Sequence, residues 1–210
     1  MNYKKNNKSK IWLKNNSNDF YIKIVKKNKN KFRSRSWFKL EEIHKVDKIF
    51  KKDMIVLDLG ASPGGWSQFA SLKIGNKGKI IACDKSIMKS INNVDFIQGD
   101  LCHPNTINLL KEKLNNKKVQ IIISDMSPNI SGVKEIDIPR SLYLNKLALK
   151  LCYLTLEYNG NFLVKSFQGK GFNQYYKQIN SIFKYSKIRK PNASRSQSCE
   201  IYIVAKGYKN

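Results

Sequence analysis

Much that would place this chain at once is missing from it. Its four cysteines (Cys83, Cys102, Cys152 and Cys199) form no CxxC pair, which argues against a zinc site or a disulfide framework and leaves reduced, mostly buried thiols as the expectation. No apolar run approaches the roughly 20 residues of a bilayer span. The N-terminus carries cations but no apolar segment behind them, so it is not a secretory signal. A cytosolic protein with no membrane partner is expected. No GKS or GKT follows the one glycine-dense turn, which excludes a P-loop. Acid is scarce, with 15 Asp and Glu against 40 Lys and Arg. Arginine is scarce too: Arg33, Arg35, Arg140, Arg189 and Arg195 are all there is.

What remains is a strongly basic globular sequence. It has 210 residues, 41% of them hydrophobic and 11% aromatic, enough for one domain with a real core and a tail. The net charge of +25 draws such a chain to polyanions, nucleic acid first among them. Charge alone decides little here, because the excess is nearly all Lys alongside abundant Asn and Ile, the mixture that A/T-rich codons produce. Residues 1–30 hold nine Lys against one Asp, and no Gly or Pro. They read as a basic arm that orders partly on RNA, with apolar patches at Ile11–Leu13 and Phe20–Val25 suited to a strand or a docked helix. Residues 31–210 read as the body, which is itself basic.

In the body, strands and helices alternate. Helical periodicity covers Trp37–Phe50, Trp66–Ile74, Thr106–Leu114, Pro139–Tyr158 and Asn173–Phe183. Short apolar runs predict strands at Met54–Leu59, Lys79–Cys83, Val94–Ile97, Gln120–Ser124 and Asn161–Val164, with final strands around Ile188 and Ile201–Ala205. This pattern means βαβ units: an α/β Rossmann-like fold with a mostly parallel sheet and helices on both faces. Asp58, Asp84, Asp100, Asp125 and Lys165 fall at or just past the carboxyl ends of these strands, the edge where open α/β sheets bind ligands.

Asp58-Leu59-Gly60-Ala61-Ser62-Pro63-Gly64-Gly65-Trp66 is the strongest local signal. A strand turns sharply into a helix there, and glycine lets a ligand approach the backbone. The spacing is not that of GxGxxG, so no phosphate is demanded. Asp84 follows Gly64 by about twenty residues, the place of an acid that accepts hydrogen bonds from ribose hydroxyls. Asp100, after Gln98-Gly99, suits the exocyclic amine of an adenine. Together they describe a pocket for an adenosine without phosphates.

Four charged residues stand beside this pocket in the pattern. Lys39 follows Ser34-Arg35-Ser36-Trp37-Phe38, Asp125 opens Asp125-Met126-Ser127-Pro128-Asn129, Lys165 follows Phe162-Leu163-Val164, and Glu200 opens Ile201-Tyr202-Ile203-Val204. A Lys closing a buried strand is expensive unless it is used. From about Phe32 to Tyr208 the sequence resembles the FtsJ/RrmJ (RlmE) family of ribosomal RNA large-subunit methyltransferases. The matching runs are Arg33–Leu40, Asp58–Trp66, Asp125–Asn129, Val164-Lys165, Ser194-Arg195 and Glu200-Ile201-Tyr202. Ser62 and Ser127 depart from the Ala expected in close relatives, and both are small.

The resemblance implies S-adenosylmethionine as cofactor and Lys39, Asp125, Lys165 and Glu200 as a catalytic tetrad. It implies cofactor contacts from Gly64, Trp66, Asp84, Asp100 and Asp125, with no metal. Its implied substrate is a uridine 2′-hydroxyl of rRNA within the large ribosomal subunit. Phosphates are expected to meet Arg33, Arg35, Lys39 and the N-terminal lysines, with Trp37 either stacked on a base or part of the core. Nothing in the sequence suggests more than a monomer. A tRNA ribose methyltransferase of the same family is the first alternative, and a non-catalytic assembly factor the second. A small-molecule O-methyltransferase fits neither the charge nor the lack of a metal-ligand cluster.

Overall fold

The computed structural model describes residues 20–28, 31–195 and 197–210. Most of the basic arm, including the Ile11–Leu13 patch, lies outside the described residues. Within them the chain runs α1 (Phe20–Lys27), α2 (Ser36–Asp47), β1 (Ile55–Leu59), α3 (Gly65–Ile74), β2 (Lys79–Asp84) and β3 (Val94–Gln98). It continues as α4 (Pro104–Leu114), β4 (Val119–Ser124), α5 (Lys134–Thr155), β5 (Leu156–Phe167), α6 (Phe172–Ile182), β6 (Phe183–Arg189) and β7 (Glu200–Tyr208).

The strands form one seven-stranded sheet in the order β3-β2-β1-β4-β5-β7-β6. The five strands from β3 to β5 are parallel, and β7 runs antiparallel to both β5 and β6. The central strands are apolar on both faces because helices cover both. Leu57, Ile81, Ile122 and Val164 pack with α4, α5 and α6, whereas Val56, Ile80, Ile121 and Leu163 pack with α2 and α3. The patch read as a strand or a docked helix is α1, which lays Tyr21, Ile24 and Val25 against the second core.

The element ends follow local chemistry. At the end of α2, Lys48 enters the left-handed region and its N–H closes on His44 O. This stops the helix before Ile49 and Phe50, which the periodicity had included. Helix α4 begins with Pro104 as one of its first residues, where a missing N–H does no harm.

Helix α5 departs from expectation at both ends. It starts at Lys134, upstream of Pro139, because the Asp137 carboxylate in its first turn accepts hydrogen bonds from Ser131 N, Ser131 Oγ and Gly132 N. It ends at Thr155, and Leu156 passes directly into β5 by pairing with Val119. Tyr158 is therefore in a strand. Likewise Lys165 does not close β5 but lies inside it, because pairing with β7 carries the strand on to Phe167.

One buried acid sits inside the sheet, on β1. Asp58 on β1 has no exposed surface, accepts a 2.5 Å hydrogen bond from Ser67 Oγ, and leaves Oδ1 without a partner among the described residues. Burial pushes its pKa up to about 7, with Ser67 opposing and the Asp125 and Asp84 charges adding to the rise. Between pH 3.8 and about 7 the unfolded chain therefore releases this proton while the folded one keeps it. Stability therefore falls across that window as pH rises and levels off above it. Melting curves of wild type and Asp58→Asn should accordingly converge or cross in favour of the variant as pH rises from 4 to 7. A difference independent of pH would show that Asp58 is ionised throughout.

Candidate active site

Backbone hydrogen bonds lock the carboxyl edge of the sheet. Gly60 N and Ala61 N donate to Cys83 O at 2.9 and 3.2 Å, and Asp125 N donates to Leu59 O at 3.0 Å. The chain can turn this tightly after β1 because Gly60 has φ +75° and no side chain: a Cβ there would lie 2.8 Å from the Met126 backbone. Beyond the turn opens a cavity of about 820 Å³, walled by Gly60, Ser62, Asp84, Asp100, Asp125 and, from α5, Tyr143 among others.

Asp84 and Asp100 both line it, as the pattern required. Asp84 ends β2 and is held by Ser62 N at 3.0 Å and Ser86 N at 2.7 Å. Asp100 accepts from Cys102 N at 2.9 Å and pairs with Lys85 at 2.8 Å. Burial raises its pKa somewhat, but Lys85 and the Cys102 bonds outweigh that and bring it down to about 2. Both acids are thus fixed in direction. A cavity with three carboxylates and no phosphate cradle fits a cationic adenosine derivative, since the acids match ribose hydroxyls, an exocyclic amine and positive charge.

Gly64 and Trp66 are not in the cavity wall. Gly64 precedes α3 at φ +104°, where an added Cβ would meet Ile91, Met88 and Arg33. The Trp66 indole is 2% exposed and donates to Ser36 O at 2.9 Å, tying α3 to the start of α2.

Beside the cavity the four charged residues come together. Lys39, in the first turn of α2, is 9% exposed and meets Glu200 Oε1 at 2.6 Å. Lys165 on β5 is 6% exposed and meets Asp125 twice, at Oδ1 (3.1 Å) and at the backbone O (2.6 Å). Burial pushes Glu200 up, but the Lys39 and Lys165 charges and hydrogen bonds from Lys39 and Tyr202 bring it below the ordinary carboxylate range. Asp125 belongs to both halves, since it also lines the cavity.

Two further residues complete the cluster. Tyr202 is fully buried, and its hydroxyl lies 3.0 Å from Glu200 Oε1 and 3.3 Å from Asp125 Oδ1. It bridges the two ion pairs. Burial first, then the Asp125 and Glu200 charges, hold its pKa well above the ordinary phenol value, so it stays a donor. Ser194 Oγ gives Glu200 another hydrogen bond at 3.0 Å. The signal for Tyr202 was present: residues two apart on a strand share a face, so Glu200 points Tyr202 the same way.

The expected phosphate contacts fare differently. The Arg33 guanidinium donates to Lys89 O and Ser90 O, and Arg35 donates to Ala193 O, so both arms tie loops around the site. Lys39 is buried in its ion pair. Trp37 is a core residue, packed edge-on against Phe69 and Phe32, and does not present its face to a base.

Comparison with known proteins bears on all of this. A family model for FtsJ-like methyltransferases matches residues 32–208. A Plasmodium falciparum protein described as a ribosomal RNA methyltransferase is 32% identical, with a TM-score of 0.75 over 84% of this chain and 98% of that one. A Clostridium thermocellum protein described as an rRNA methylase is 13% identical, with a TM-score of 0.54 over 81% and 97% of the two chains. A Streptococcus mutans protein described as a methyltransferase, solved with S-adenosylhomocysteine, is 16% identical, with a TM-score of 0.51 over 80% and 96%. These last two speak for the fold alone.

Removing only the bridging hydroxyl tests the cluster. Tyr202→Phe withdraws a buried donor from two carboxylates and should lower stability by about 1–3 kcal/mol, read as a lower urea midpoint at unchanged slope. A midpoint equal to wild type would mean that the ion pairs hold without it.

Proposed function

The chain belongs to the FtsJ-like methyltransferase family, and within it we propose that the protein methylates a ribose 2′-hydroxyl of RNA, that of a uridine in the large ribosomal subunit. The family uses S-adenosylmethionine. One observation carries the assignment: a buried lysine, Lys165, is aimed by two contacts to Asp125 at the edge of an acid-lined cavity. The ribosomal address is supported by the description of the Plasmodium falciparum relative and by the +25 charge.

When bound, the cofactor supplies an electrophilic methyl on a sulfonium. The protein's own task is to hold the hydroxyl oxygen in line with that methyl and to ease the departure of its proton. Positioning alone can supply much of the acceleration. Asp84 and Asp100 fix the adenosine end of the cavity. Asp125 faces both the cavity and Lys165 and sets the distance between donor and acceptor.

Lys165 has three positions on Nζ besides its carbon. Asp125 occupies two of them through Oδ1 and its backbone O. The remaining one is left for the substrate oxygen. In the neutral amine it is a lone pair that takes the hydroxyl proton, and in the ammonium it is an N–H that orients the oxygen. Lys39 and Glu200 neutralise each other and hold Tyr202 in place between the pairs.

The test is transfer of labelled methyl from S-adenosylmethionine to purified large ribosomal subunits and, separately, to tRNA. Wild type should label large subunits, at a 2′-O-methyluridine when the RNA is digested. Lys165→Ala should lose on the order of 10²–10⁴-fold in kcat while still binding S-adenosylhomocysteine. Label on tRNA alone would keep the chemistry and overturn the address. Near-normal turnover by a folded Lys165→Ala would remove Lys165 from the reaction, and no label on either RNA would favour an assembly factor.

A further inference from the structure

The face of the sheet that carries the catalytic residues has a second end. In the antiparallel register of β5 and β7, Lys165 lies opposite Tyr202, Leu163 opposite Val204 and Asn161 opposite Lys206. Alternate positions share a face, so these pairs form a row running away from the cofactor edge. Four residues from Lys165, about 13 Å along the strand at roughly 3.3 Å per residue, Asn161 and Lys206 line another cavity, of about 490 Å³.

Lysines dominate its wall. Lys48, Lys51 and Lys52 reach it from the loop between α2 and β1, and all three are exposed. None of them forms an ion pair among the described residues. Lys206 donates to Asp47 O. The acids in the wall are Asp53 and Glu157, and Glu157 is taken by Gln120 Nε2 at 2.5 Å. Nearby His44 on α2 registers the field. Burial lowers its pKa first, and the Lys73 and Lys48 charges lower it further. The cavity is therefore electropositive, concave and well separated from the acid-lined one.

Helix α2 joins it to the active site. Lys39 stands in the tetrad near the start of the helix, and Lys48, its C-cap, lines the second cavity. Nine residues at about 1.5 Å each separate them by about 14 Å. A strand of duplex DNA carries one phosphate per roughly 3.4 Å of axis and A-form RNA packs them somewhat closer, so a few nucleotides cover this distance. We propose that the lysine-walled cavity is a second anion site, which holds a backbone phosphate of the same RNA strand whose ribose lies at Lys165, a few nucleotides away. The RNA assignment in this proposal rests on the function proposed above, whereas the anion site itself does not.

Two measurements separate these parts. The 210-residue chain has only two histidines, His44 and His103, so their imidazole NMR signals can be followed individually. Titration with inorganic phosphate should raise the pKa of His44 by screening Lys48 and Lys73, and Lys48→Ala/Lys51→Ala/Lys52→Ala should abolish that response. No phosphate-dependent change at His44 overturns the anion site.

In methyl transfer to large subunits, the same triple variant should raise KM for RNA on the order of tenfold at unchanged kcat and unchanged cofactor affinity. It should also reduce the salt dependence of RNA binding by about one to three in log–log slope. Lys111→Ala/Lys113→Ala/Lys117→Ala, an equal loss of charge around the end of α4, should do markedly less. Equal effects of the two triple variants would reduce the cavity to a share of the general charge and overturn the RNA assignment. The absence of RNA methylation by wild type would instead refute the proposed function and leave the phosphate titration to decide the anion site.

Discussion

Two lysines with less than a tenth of their surface exposed, Lys39 and Lys165, have to be neutralised inside this fold. Breaking such a buried pair by removing one partner costs about 3–5 kcal/mol, so the structure around them is held to a narrow set of arrangements. The solution is the insertion of β7, antiparallel, between β5 and β6. Its register puts Tyr202 opposite Lys165, and its first residue, Glu200, then meets Lys39 from α2. A slip of one residue would turn Glu200 and Tyr202 to the other face, leaving Lys39 without its acid and Asp125 without the Tyr202 hydroxyl. The topology of the last two strands is thus inseparable from the chemistry of the site.

Asp125 connects that cluster to the cofactor cavity. Its backbone N–H is fixed by Leu59 O, its backbone carbonyl and one carboxylate oxygen hold Lys165, and the residue also lines the cavity. One residue therefore holds the amine and, in the proposed reaction, faces the methyl donor. A reaction that requires three atoms in line benefits from such a link, because any shift of β4 moves both partners together. The acids on the cavity side have a second use. A sulfonium is poorly served by a phosphate-binding turn, and the turn after β1 offers a close approach of backbone with carboxylates beyond it.

The sequence disclosed the βαβ order and the strand-end acids because both depend on local patterns: periodicity, glycine and the position of charge after an apolar run. The misreadings have physical causes. Pro139 looked like a helix start because proline favours the first turn, but the bonds from Ser131 and Gly132 to Asp137 set the start of the helix further upstream. Tyr158 was read into a helix because β5 follows α5 without a loop, so no turn residue marked the change of period. Lys165 was placed at a strand end when it lies within one, since only the pairing with β7 extends β5 to Phe167. Arg33 and Arg35, expected to meet phosphates, donate to the carbonyls of Lys89, Ser90 and Ala193, and Trp37 takes the core place that is one of its two readings. Tyr202 received no role, because a tyrosine in an apolar strand reads as core until its hydroxyl is seen between two carboxylates.

Net charge illustrates the same difference between composition and placement. A value of +25 is compatible with RNA binding and with mere codon drift, and no count of lysines separates the two. Placement does. Lys85 is spent on Asp100, Lys79 on Asp95 and Lys45 on Glu41; exposed pairs of this kind contribute little to stability and leave little field. Lys39 and Lys165 are consumed within the site. What can act on a distant polyanion is the remainder, and it matters most where several cations converge on a concavity whose low-dielectric walls focus their field. The loop after α2 meets that condition, at the far end of the helix that begins in the tetrad. Drift would scatter lysines without regard to shape, so the convergence of Lys48, Lys51, Lys52 and Lys206 on one concavity is an argument that composition alone could never supply.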